Sequence, residues 1–437
     1  MRRVMNKYIC GAVSLAGILL FLAMGMMHAK TGIDVGTDLP CVEIHLSDAP
    51  LEEFHSGNKT TKYGGNQVTV TDPEQGTVCT DSDVELKGRG NSSWKMPKRS
   101  YQIKFHEKRS LLGMHEARKW LLIANYADAS LMRNRLICDL AGELMDYAPD
   151  SRYVDLWIDG EYLGNYLLCE KIEVGDGKVE LQNDMGLLAE IDNFYYFETE
   201  EQFQSSISGS HFTMKDAKND AVSAEAFVEF EAFINQFERL LYAEENDWEQ
   251  ISSMIDVESF IQYYFMQESE FSASSCRTSL YMYWDGPDDK LHMGPVWDFD
   301  KAVGYSMRAK FGGDTQVDYV KNIQDYMGTE KDMTWYTELF EIPEFCEEVS
   351  RVYEEQIREV FYTADALIDQ YREEIAGSAK RNFGRWEITE IPENCGHDPY
   401  TYETWEEAVD GLQEWVRVRI LYFDHRYSVD GSDSEVL

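Results

Sequence analysis

Residues 84–105 of the chain read V-E-L-K-G-R-G-N-S-S-W-K-M-P-K-R-S-Y-Q-I-K-F, two strand-like runs separated by a loop of Gly, Ser and Pro. The two runs are predicted to pair as a long hairpin, because a connection of this length and composition favours a turn. The Gly-punctuated turn at residues 87–94 can present backbone N–H groups to phosphate oxygens. A simple hairpin turn with Trp94 packed beneath it fits the same spacing, so both interpretations stay open.

The hairpin lies in a basic segment, residues 87–135, which carries twelve Lys and Arg but only three Asp and Glu. The whole chain has a net charge of −40, so this segment has the opposite sign to the rest. A local positive field in an acidic protein indicates an anionic ligand that is held there. The overall charge argues against nucleic acid as a partner, because its phosphates would be repelled. It also argues against adsorption of the folded part to anionic lipid.

The first 29 residues are predicted to be a targeting segment, either a signal peptide or an N-terminal membrane anchor. An uncharged apolar run at residues 9–27 follows Arg2, Arg3 and Lys7 and is barely long enough to span a bilayer. Basic residues on its N-terminal side predict that residues 30–437 lie outside the cytoplasm. Membrane contact is therefore expected through this segment alone. Seven of the eight cysteines follow it, an odd number that argues against a full disulfide framework.

Strand patterns dominate residues 39–195, which are predicted to form a β-rich lobe. The clearest is a hairpin between residues 154–158 and 162–168. Its Asp159–Gly160 dipeptide supplies the backbone conformation of a tight two-residue turn.

Helical spacing prevails from about residue 220 to about residue 425, and together with the strand-rich part it predicts an α+β fold. The predicted helices cover residues 221–243, 256–268, 341–362, 364–376 and 402–422. A hairpin at residues 281–296 interrupts them. Residues 429–437 are predicted to be an acidic tail.

Four residues of the hairpin loop, Arg89, Gly90, Asn91 and Ser92, are candidates for binding phosphate. A Gly turn exposes backbone N–H groups, and an arginine and a serine add side-chain donors. The sequence is not a P-loop, because it lacks the G-x-x-x-x-G-K-[ST] pattern.

Two lysines and one glutamate near the loop are further candidates for a nucleotide site. Lys98 precedes the second strand, and Lys104 lies on it, where a protein kinase places its phosphate-contacting lysine. Glu170 ends an apolar strand and can pair with a lysine such as Lys104. The alternatives are a solvated strand face for the lysines and an ordinary surface position for the glutamate.

Asp298 and Asp300, in G-P-V-W-D-F-D, are the strongest candidate metal ligands. Two carboxylates at the end of a buried strand are costly unless they are paired or bound to metal. Mg²⁺ binds one or two carboxylates together with substrate phosphates. The alternative is a structural salt bridge with the basic segment.

The polar loop at residues 267–279 contains Glu268 and Glu270, which can act as a general base or a metal ligand. A solvated helix end is the alternative. In residues 125–135, Asp128 or Ser130 can cap a helix whose first turns carry Arg133 and Arg135. Cations there oppose the helix dipole, which indicates either an anionic partner or an ion pair.

Several of these segments, in this order, resemble the CotH family of spore-coat-protein-H-like atypical kinases. The resemblance runs from about residue 39 to about residue 423. It is carried by R-G-N-S-S-W with S-Y-Q-I-K-F, N-Y-A-D-A-S-L-M-R-N-R-L, G-E-Y-L-G-N-Y-L-L-C-E-K-I, L-L-A-E-I-D-N, and Y-M-Y followed by H-M-G-P-V-W-D-F-D-K-A-V-G.

The resemblance implies a divergent protein-kinase-like fold of two lobes that transfers the γ-phosphate of ATP to Ser or Thr of a protein. By position, R-G-N-S-S-W is similar to the phosphate-binding loop of that family. Lys104 and Glu170 are similar to its lysine–glutamate pair, and Asp298 to the metal-binding aspartate of D-F-G.

The chain departs from the family pattern at one position. Family members usually carry an Asp, the expected base, seven residues before the Y-x-Y strand, where this chain has Ser274. Glu268 or Glu270 can substitute for it, or catalysis can rest on positioning and metal alone. The remaining outcome is an inactive pseudokinase, a scaffold of the coat or envelope.

The expected function is therefore that of an exported CotH-like kinase that uses ATP with Mg²⁺ or Mn²⁺. Its acceptor is expected to be a basic, Ser/Thr-rich protein, because an acidic surface attracts cationic partners. The pseudokinase is the main alternative. A glycan-associated surface protein is a third, suggested by the ten Trp and twenty-six Tyr.

Overall fold

The structure is a computed structural model that describes residues 38–193, 201–270, 278–300, 335–391 and 402–428. These residues form two compact units. The first contains the described residues up to Tyr126, together with Ser151–Glu170 and Tyr371–Glu390, and the second contains the others.

A closed barrel of seven strands forms the first unit, in the order β1-β2-β3-β4-β5-β7-β6. The strands are β1 (Cys41–His45), β2 (Tyr63–Asp72), β3 (Gly76–Arg89), β4 (Ser100–Arg109), β5 (Ala117–Ile123), β6 (Ser151–Ile158) and β7 (Glu161–Glu170). Neighbours pair antiparallel except β1 and β6, whose parallel pairing closes the barrel. Closure leaves no exposed sheet edge.

Alternate residues of these strands point inward, as the two-residue period of a strand requires. They form an apolar core that includes Val42, Ile44, Val68, Val70, Ile103, Phe105, Trp120, Leu122, Val154, Leu156 and Leu168. The short helix α1 (Leu51–Ser56) adds Phe54 to this core. Each such side chain contributes roughly 1.5–3 kcal/mol when it is fully buried.

The hairpin of β6 and β7 has the predicted two-residue turn. Asp159 and Gly160 have φ angles of 50° and 78°, and Ile158 pairs with Glu161 across the turn. Asp and Gly are the residues that adopt this left-handed conformation most readily, so the local sequence was sufficient to predict the hairpin.

Helix α9 (Ala364–Arg385) contributes its residues from Tyr371 onward to the first unit. Ser378 and Asn382 bind the side chain and the backbone N–H of Asn165 on β7. Arg381 bonds Asp155 on β6 at 2.6 Å. These contacts explain why the helix continues beyond the predicted end at residue 376, since tertiary bonding overrides the weak helix propensity of Gly377.

The second unit is mainly helical and carries a sheet in the order β12-β11-β8-β10-β9. Its strands are β8 (Leu187–Ile191), β9 (Gln202–Gln204), β10 (His211–Ala217), β11 (Leu280–Trp284) and β12 (Leu291–Met293). Its other helices are α2 (Arg133–Gly142), α3 (Ser223–Leu241), α4 (Trp248–Met254), α5 (Val257–Glu270), α6 (Tyr336–Leu339), α7 (Pro343–Val352), α8 (Arg358–Tyr362) and α10 (Trp405–Tyr427).

The α+β class is confirmed, with the sheet-rich region first and the helices later in the chain. The closed barrel was not predicted. One π-helical turn, Tyr353–Ile357, joins α7 and α8, so the predicted helix at residues 341–362 is present with an irregular centre. Helix α10 begins with a capping box between Thr404 and Glu407.

The predicted targeting segment and the predicted acidic tail lie outside the described residues. Within the described part of the chain, no helix has both the length and the apolar character that a membrane crossing needs. Among the described cysteines, Cys41, Cys79 and Cys346 are free thiols.

Candidate functional site

The turn after β3 is built around Gly90, whose φ of 84° lies in the left-handed region. A Cβ at this position would collide with Ser93 Oγ, so the turn requires glycine. A single 3₁₀ turn, Ser93–Lys95, follows it. The rings of Trp94 and Phe54 pack edge to face, with 5.9 Å between their centres. Trp94 therefore lies beneath the turn, as the interpretation of a simple hairpin turn expects.

Three cations gather at this turn. The Lys59 ammonium donates to Gly90 O at 3.0 Å and to Asn91 Oδ1. Burial lowers the pKa of Lys59, and the positive charges of Arg89 and Lys95 lower it further. The structure thus surrounds the predicted phosphate-binding residues with positive charge. Lys59 was not predicted, because it lies some thirty residues upstream and only the fold brings it to the turn.

Lys98 lies in the interior of the first unit, with 1% of its surface exposed. Its ammonium donates to Ala124 O at 2.7 Å and to Asn165 O, and it lies 4.7 Å from the centre of the Tyr166 ring. These contacts tie the segment before β4 to the residue that follows β5 and to the middle of β7. Its role toward a nucleotide stays a prediction.

The predicted pairing of Lys104 with Glu170 is wrong. Glu170 is fully buried and accepts a hydrogen bond from the backbone N–H of His115 at 3.0 Å. It stands beside Trp120 in the register of β5 and β7, on the inward face. Lys104 follows the inward-facing Ile103 and therefore points outward. In the described residues the two side chains do not meet, because they lie on opposite faces of the barrel wall.

In the second unit, Asp298 has a φ of 71° and an exposed side chain. Val296, two residues before it, and Phe299, directly after it, are fully buried. The backbone N–H of Phe299 donates to Asn134 Oδ1 on α2 at 2.7 Å. A strained residue held between buried anchors is typical of a functional site, because the surrounding structure must maintain the strain. Asn134 was not predicted, since it is distant in sequence.

Asp300 is half-buried and lies two residues after Asp298, with buried Phe299 between them. No group of three or more His, Cys, Asp or Glu that could hold a metal by itself occurs among the described residues. Mg²⁺ does not need one, because phosphate oxygens and water complete its coordination around one or two carboxylates. The exposed Asp298 carboxylate fits that demand.

The start of α2 is held by a buried polar cluster. Asp128 accepts a hydrogen bond from the backbone N–H of Arg133 at 2.9 Å and pairs with the Arg133 guanidinium. Arg135 lies 3.4 Å from Asp139. The ion-pair interpretation of these arginines is therefore confirmed. The helix begins at Arg133 rather than directly after Ser130, and its fixed start also fixes Asn134.

Glu268 is fully buried and pairs with Arg419 of α10 at 2.5 Å. The Arg419 guanidinium also lies 4.5 Å from the centre of the Tyr422 ring. A carboxylate in such a pair would have to break it before it could accept a proton. Glu270 ends α5, and its side chain and Ser274 lie outside the described residues. Their predicted roles stay predictions.

Comparison with known proteins assigns most of the chain to one group. The family model described as CotH kinase protein matches residues 86–423, more than three quarters of the 437 residues. A stretch of 130 residues is 28% identical to the inner spore coat protein H of Bacillus subtilis (strain 168). That match covers 29% of this chain and 35% of the relative, so the chain matches about a third of that protein's length.

Proposed function

The chain belongs to the CotH kinase protein family, and from this premise we propose that it is an atypical kinase that binds ATP with Mg²⁺ or Mn²⁺. It transfers the γ-phosphate to Ser or Thr of a protein. In the same proposal the barrel unit and the helical unit correspond to the two lobes of a divergent kinase-like fold.

The observation that carries the proposal is the geometry at Asp298. Asp298 has an exposed carboxylate and a left-handed backbone conformation. Its buried neighbour Phe299 is bonded to Asn134. This arrangement costs free energy in a surface loop. Such a cost is expected where a carboxylate must be held in a set direction toward a cation. Bound Mg²⁺ or Mn²⁺ would neutralise the developing charge of a phosphoryl group.

The turn at Gly90 supports the phosphate part of the proposal. Arg89 and Ser92 supply side-chain donors at a turn that requires glycine, and Lys59 and Lys95 add positive charge. Phosphoryl transfer depends mainly on positioning and on charge stabilisation. Side chains that place positive charge around the phosphate oxygens therefore supply a large part of the acceleration of phosphoryl transfer.

The proposed mechanism does not use Glu268 as its base. Glu268 is withheld by Arg419, and a serine stands at the position where the family's aspartate is expected. The acceptor hydroxyl would lose its proton late, to solvent or to the transferred phosphoryl group. The rate should then be low, because a positioned base contributes about 10²–10⁴-fold in general.

The buried Glu268–Arg419 pair also favours a second candidate, a pseudokinase that binds nucleotide without transferring phosphate. Either protein would act in a spore coat or cell envelope after export through residues 1–29. The name of the inner spore coat protein H suggests that setting. The net charge of −40 favours a basic, Ser/Thr-rich acceptor.

Incubation with labelled ATP, Mg²⁺ or Mn²⁺ and a basic Ser-rich peptide tests the proposal. We expect slow transfer that falls about 100-fold or more in Asp298→Ala. The matched control is Asp288→Ala, which removes an exposed carboxylate from the turn between β11 and β12. Nucleotide-dependent thermal stabilisation without any transfer would instead establish the pseudokinase. Equal transfer by Asp298→Ala and the wild type would refute the metal assignment.

A further inference from the structure

A cavity of about 240 Å³ opens in the barrel unit, and the proposed function does not use it. All its lining residues belong to the first unit. Its volume lies below the roughly 300–1,000 Å³ of pockets for drug-sized ligands, so a ligand of this cavity must be small. We call it the barrel cavity, and the side chains that define it are His55, Arg99, Tyr101, Tyr166, Arg385 and Trp386.

The walls of the barrel cavity are aromatic rings that hydrogen bonds hold in place. His55 Nε2 and the Tyr101 hydroxyl lie 2.7 Å apart. The Tyr166 hydroxyl donates to the last backbone carbonyl before β4 at 2.8 Å, and Trp386 Nε1 donates to a backbone carbonyl of β7 at 2.9 Å. Rings that are already fixed lose little entropy when a ligand binds. Such a lining favours a flat aromatic ring as the body of the ligand.

Arg99 supplies a pair of hydrogen-bond donors. Its Nη1 donates to His55 O, and its guanidinium lies 4.7 Å from the centre of the Trp94 ring, so the group is held from two sides. Its Nε and Nη2 are open to solvent and donate to none of the described residues. These two N–H groups form one edge of the guanidinium, which matches the two oxygen atoms of a carboxylate.

Arg385, at the end of α9, is the second cation of the cavity. Its Nη2 pairs with Glu161 at the start of β7, and its guanidinium lies 4.8 Å from the centre of the Trp386 ring. Its Nε is buried and has no acceptor within the described part of the chain. A buried donor without an acceptor costs free energy, and a nearby anion reduces that cost.

The charges of the lining favour an anion with a single charge. Two carboxylates, Glu52 and Glu161, balance the two guanidiniums in number, but both carboxylates are exposed and therefore screened by water. Burial, followed by the positive charge of Arg99, lowers the pKa of His55 to about 4, so this ring is neutral near pH 7. A small excess of positive potential suits a carboxylate, whereas the two charges of a phosphate would be repelled more strongly by the glutamates.

We propose that the barrel cavity binds a small aromatic carboxylate, whose ring lies among Tyr101, Tyr166 and Trp386. Its carboxylate binds the open edge of the Arg99 guanidinium. The inference goes beyond the proposed function and does not depend on it.

The test is isothermal titration calorimetry of the full chain with cinnamate as the probe. We expect a Kd on the order of 0.1–1 mM, as for other small ligands of about ten non-hydrogen atoms. Cinnamyl alcohol has the ring without the charge, and propionate has the charge without the ring. Each should bind at least about tenfold more weakly. Equal binding of the alcohol, equal binding of phenyl phosphate or no binding of cinnamate would overturn the inference.

Two substitutions locate the binding in the cavity. Arg99→Met should weaken cinnamate binding about tenfold, because the bidentate contact is lost. The matched control is Arg118→Met, which removes an exposed guanidinium from β5 outside the cavity and should bind as the wild type does. Melting temperatures of both variants show whether the barrel unit stays folded.

Glu52→Gln gives a result that misfolding cannot imitate. It removes a negative charge from the lining and should tighten cinnamate binding about twofold. Glu53→Gln, the next residue of α1, lies outside the lining and should leave the Kd unchanged. Wild-type affinity in both Arg99→Met and Glu52→Gln would place the bound cinnamate elsewhere and refute the inference.

A competition experiment separates the barrel cavity from the proposed nucleotide site. Prior addition of ATP and Mg²⁺ should leave the Kd of cinnamate within about twofold of its value without nucleotide. Loss of cinnamate binding in the presence of ATP would overturn the inference, because the cavity would then be part of the nucleotide site. Absence of phosphate transfer with unchanged cinnamate binding would refute the proposed function alone.

Discussion

Charged residues are used in opposite ways at two places, one in the helical unit and one in the barrel unit. In the helical unit, Glu268 and Arg419 pair opposite charges in the interior. In the barrel unit, Lys59, Arg89 and Lys95 bring like charges together at a partly exposed turn. A buried pair compensates its own desolvation, whereas positive charges gathered at a partly exposed turn attract anions. The pair at Glu268 therefore stabilises the fold, and we propose that the positive charge at the Gly90 turn serves the phosphate part of the proposed function.

The largest expected effect tests the structural half of this comparison. Arg419→Met leaves the Glu268 carboxylate buried without its partner and should lower the free energy of unfolding by about 3–5 kcal/mol in urea denaturation. Arg417→Met, two residues away on α10, removes an exposed guanidinium that pairs with Asp365. This control should cost at most about 1 kcal/mol. Equal costs for the two variants would contradict the comparison, and they would make Glu268 available as a base again.

The second effect concerns Asp298, where backbone strain accompanies the proposed metal site. Asp298→Gly should reduce transfer about 100-fold or more, because the carboxylate is lost. It should also raise the free energy of unfolding by about 1 kcal/mol, because glycine adopts a positive φ without strain. Asp298→Ala should lose the same activity without gaining stability. Transfer rates measure the loss of function, and melting temperatures measure the release of strain. A lower melting temperature for Asp298→Gly than for the wild type would show that the backbone at Asp298 is not strained.

Asn134 offers a smaller effect of a different kind. Asn134→Leu removes the acceptor of the Phe299 N–H, and an unsatisfied buried donor costs about 1–3 kcal/mol. We expect transfer to fall about tenfold and the Mg²⁺ concentration for half-maximal rate to rise, since the direction of Asp298 is no longer set. Asn134→Asp keeps an acceptor oxygen and should retain most of the rate. An unchanged Mg²⁺ dependence in Asn134→Leu would reduce Asn134 to a structural residue.

The smallest effect is a pH dependence in the barrel unit. Burial, followed by the positive charge of Arg99, lowers the pKa of His55 from 6.5 to about 4. The unfolded chain therefore binds the proton more readily, and stability should fall as the pH decreases from 6.5 to 4. The loss is roughly 1 kcal/mol after allowance for partial solvent exposure. Urea denaturation at several pH values should show that His55→Gln lacks this component while His106→Gln, an exposed histidine, keeps it.

Local patterns predicted the elements that depend on local physics. The Asp159–Gly160 turn and the strand alternation around Ile103 follow from backbone conformation and side-chain period. The parallel pairing of β1 with β6 was not predicted, because it joins segments more than a hundred residues apart and no turn signal announces it. Barrel closure was missed for the same reason.

Short sequence motifs predicted some residues of the candidate site, but not the residues that only the fold brings next to them. Arg89, Asn91 and Asp298 were chosen from short sequence patterns. Lys59 and Asn134 carry no pattern and become recognisable only from their contacts with Gly90 and Phe299. Lys104 and Glu170 were paired wrongly because a sequence states the residue type but not which face of a closed barrel it occupies.

The amino-acid sequence by itself determined the α+β class, the family and the two loops that concentrate unusual residues, because composition and local backbone preference act over a few residues. Only the tertiary structure decided which charges meet. Glu268 forms a buried ion pair with Arg419, and Lys59 donates a hydrogen bond to Gly90 O. Electrostatic interactions depend on distance and burial in space, and neither quantity can be read along the chain.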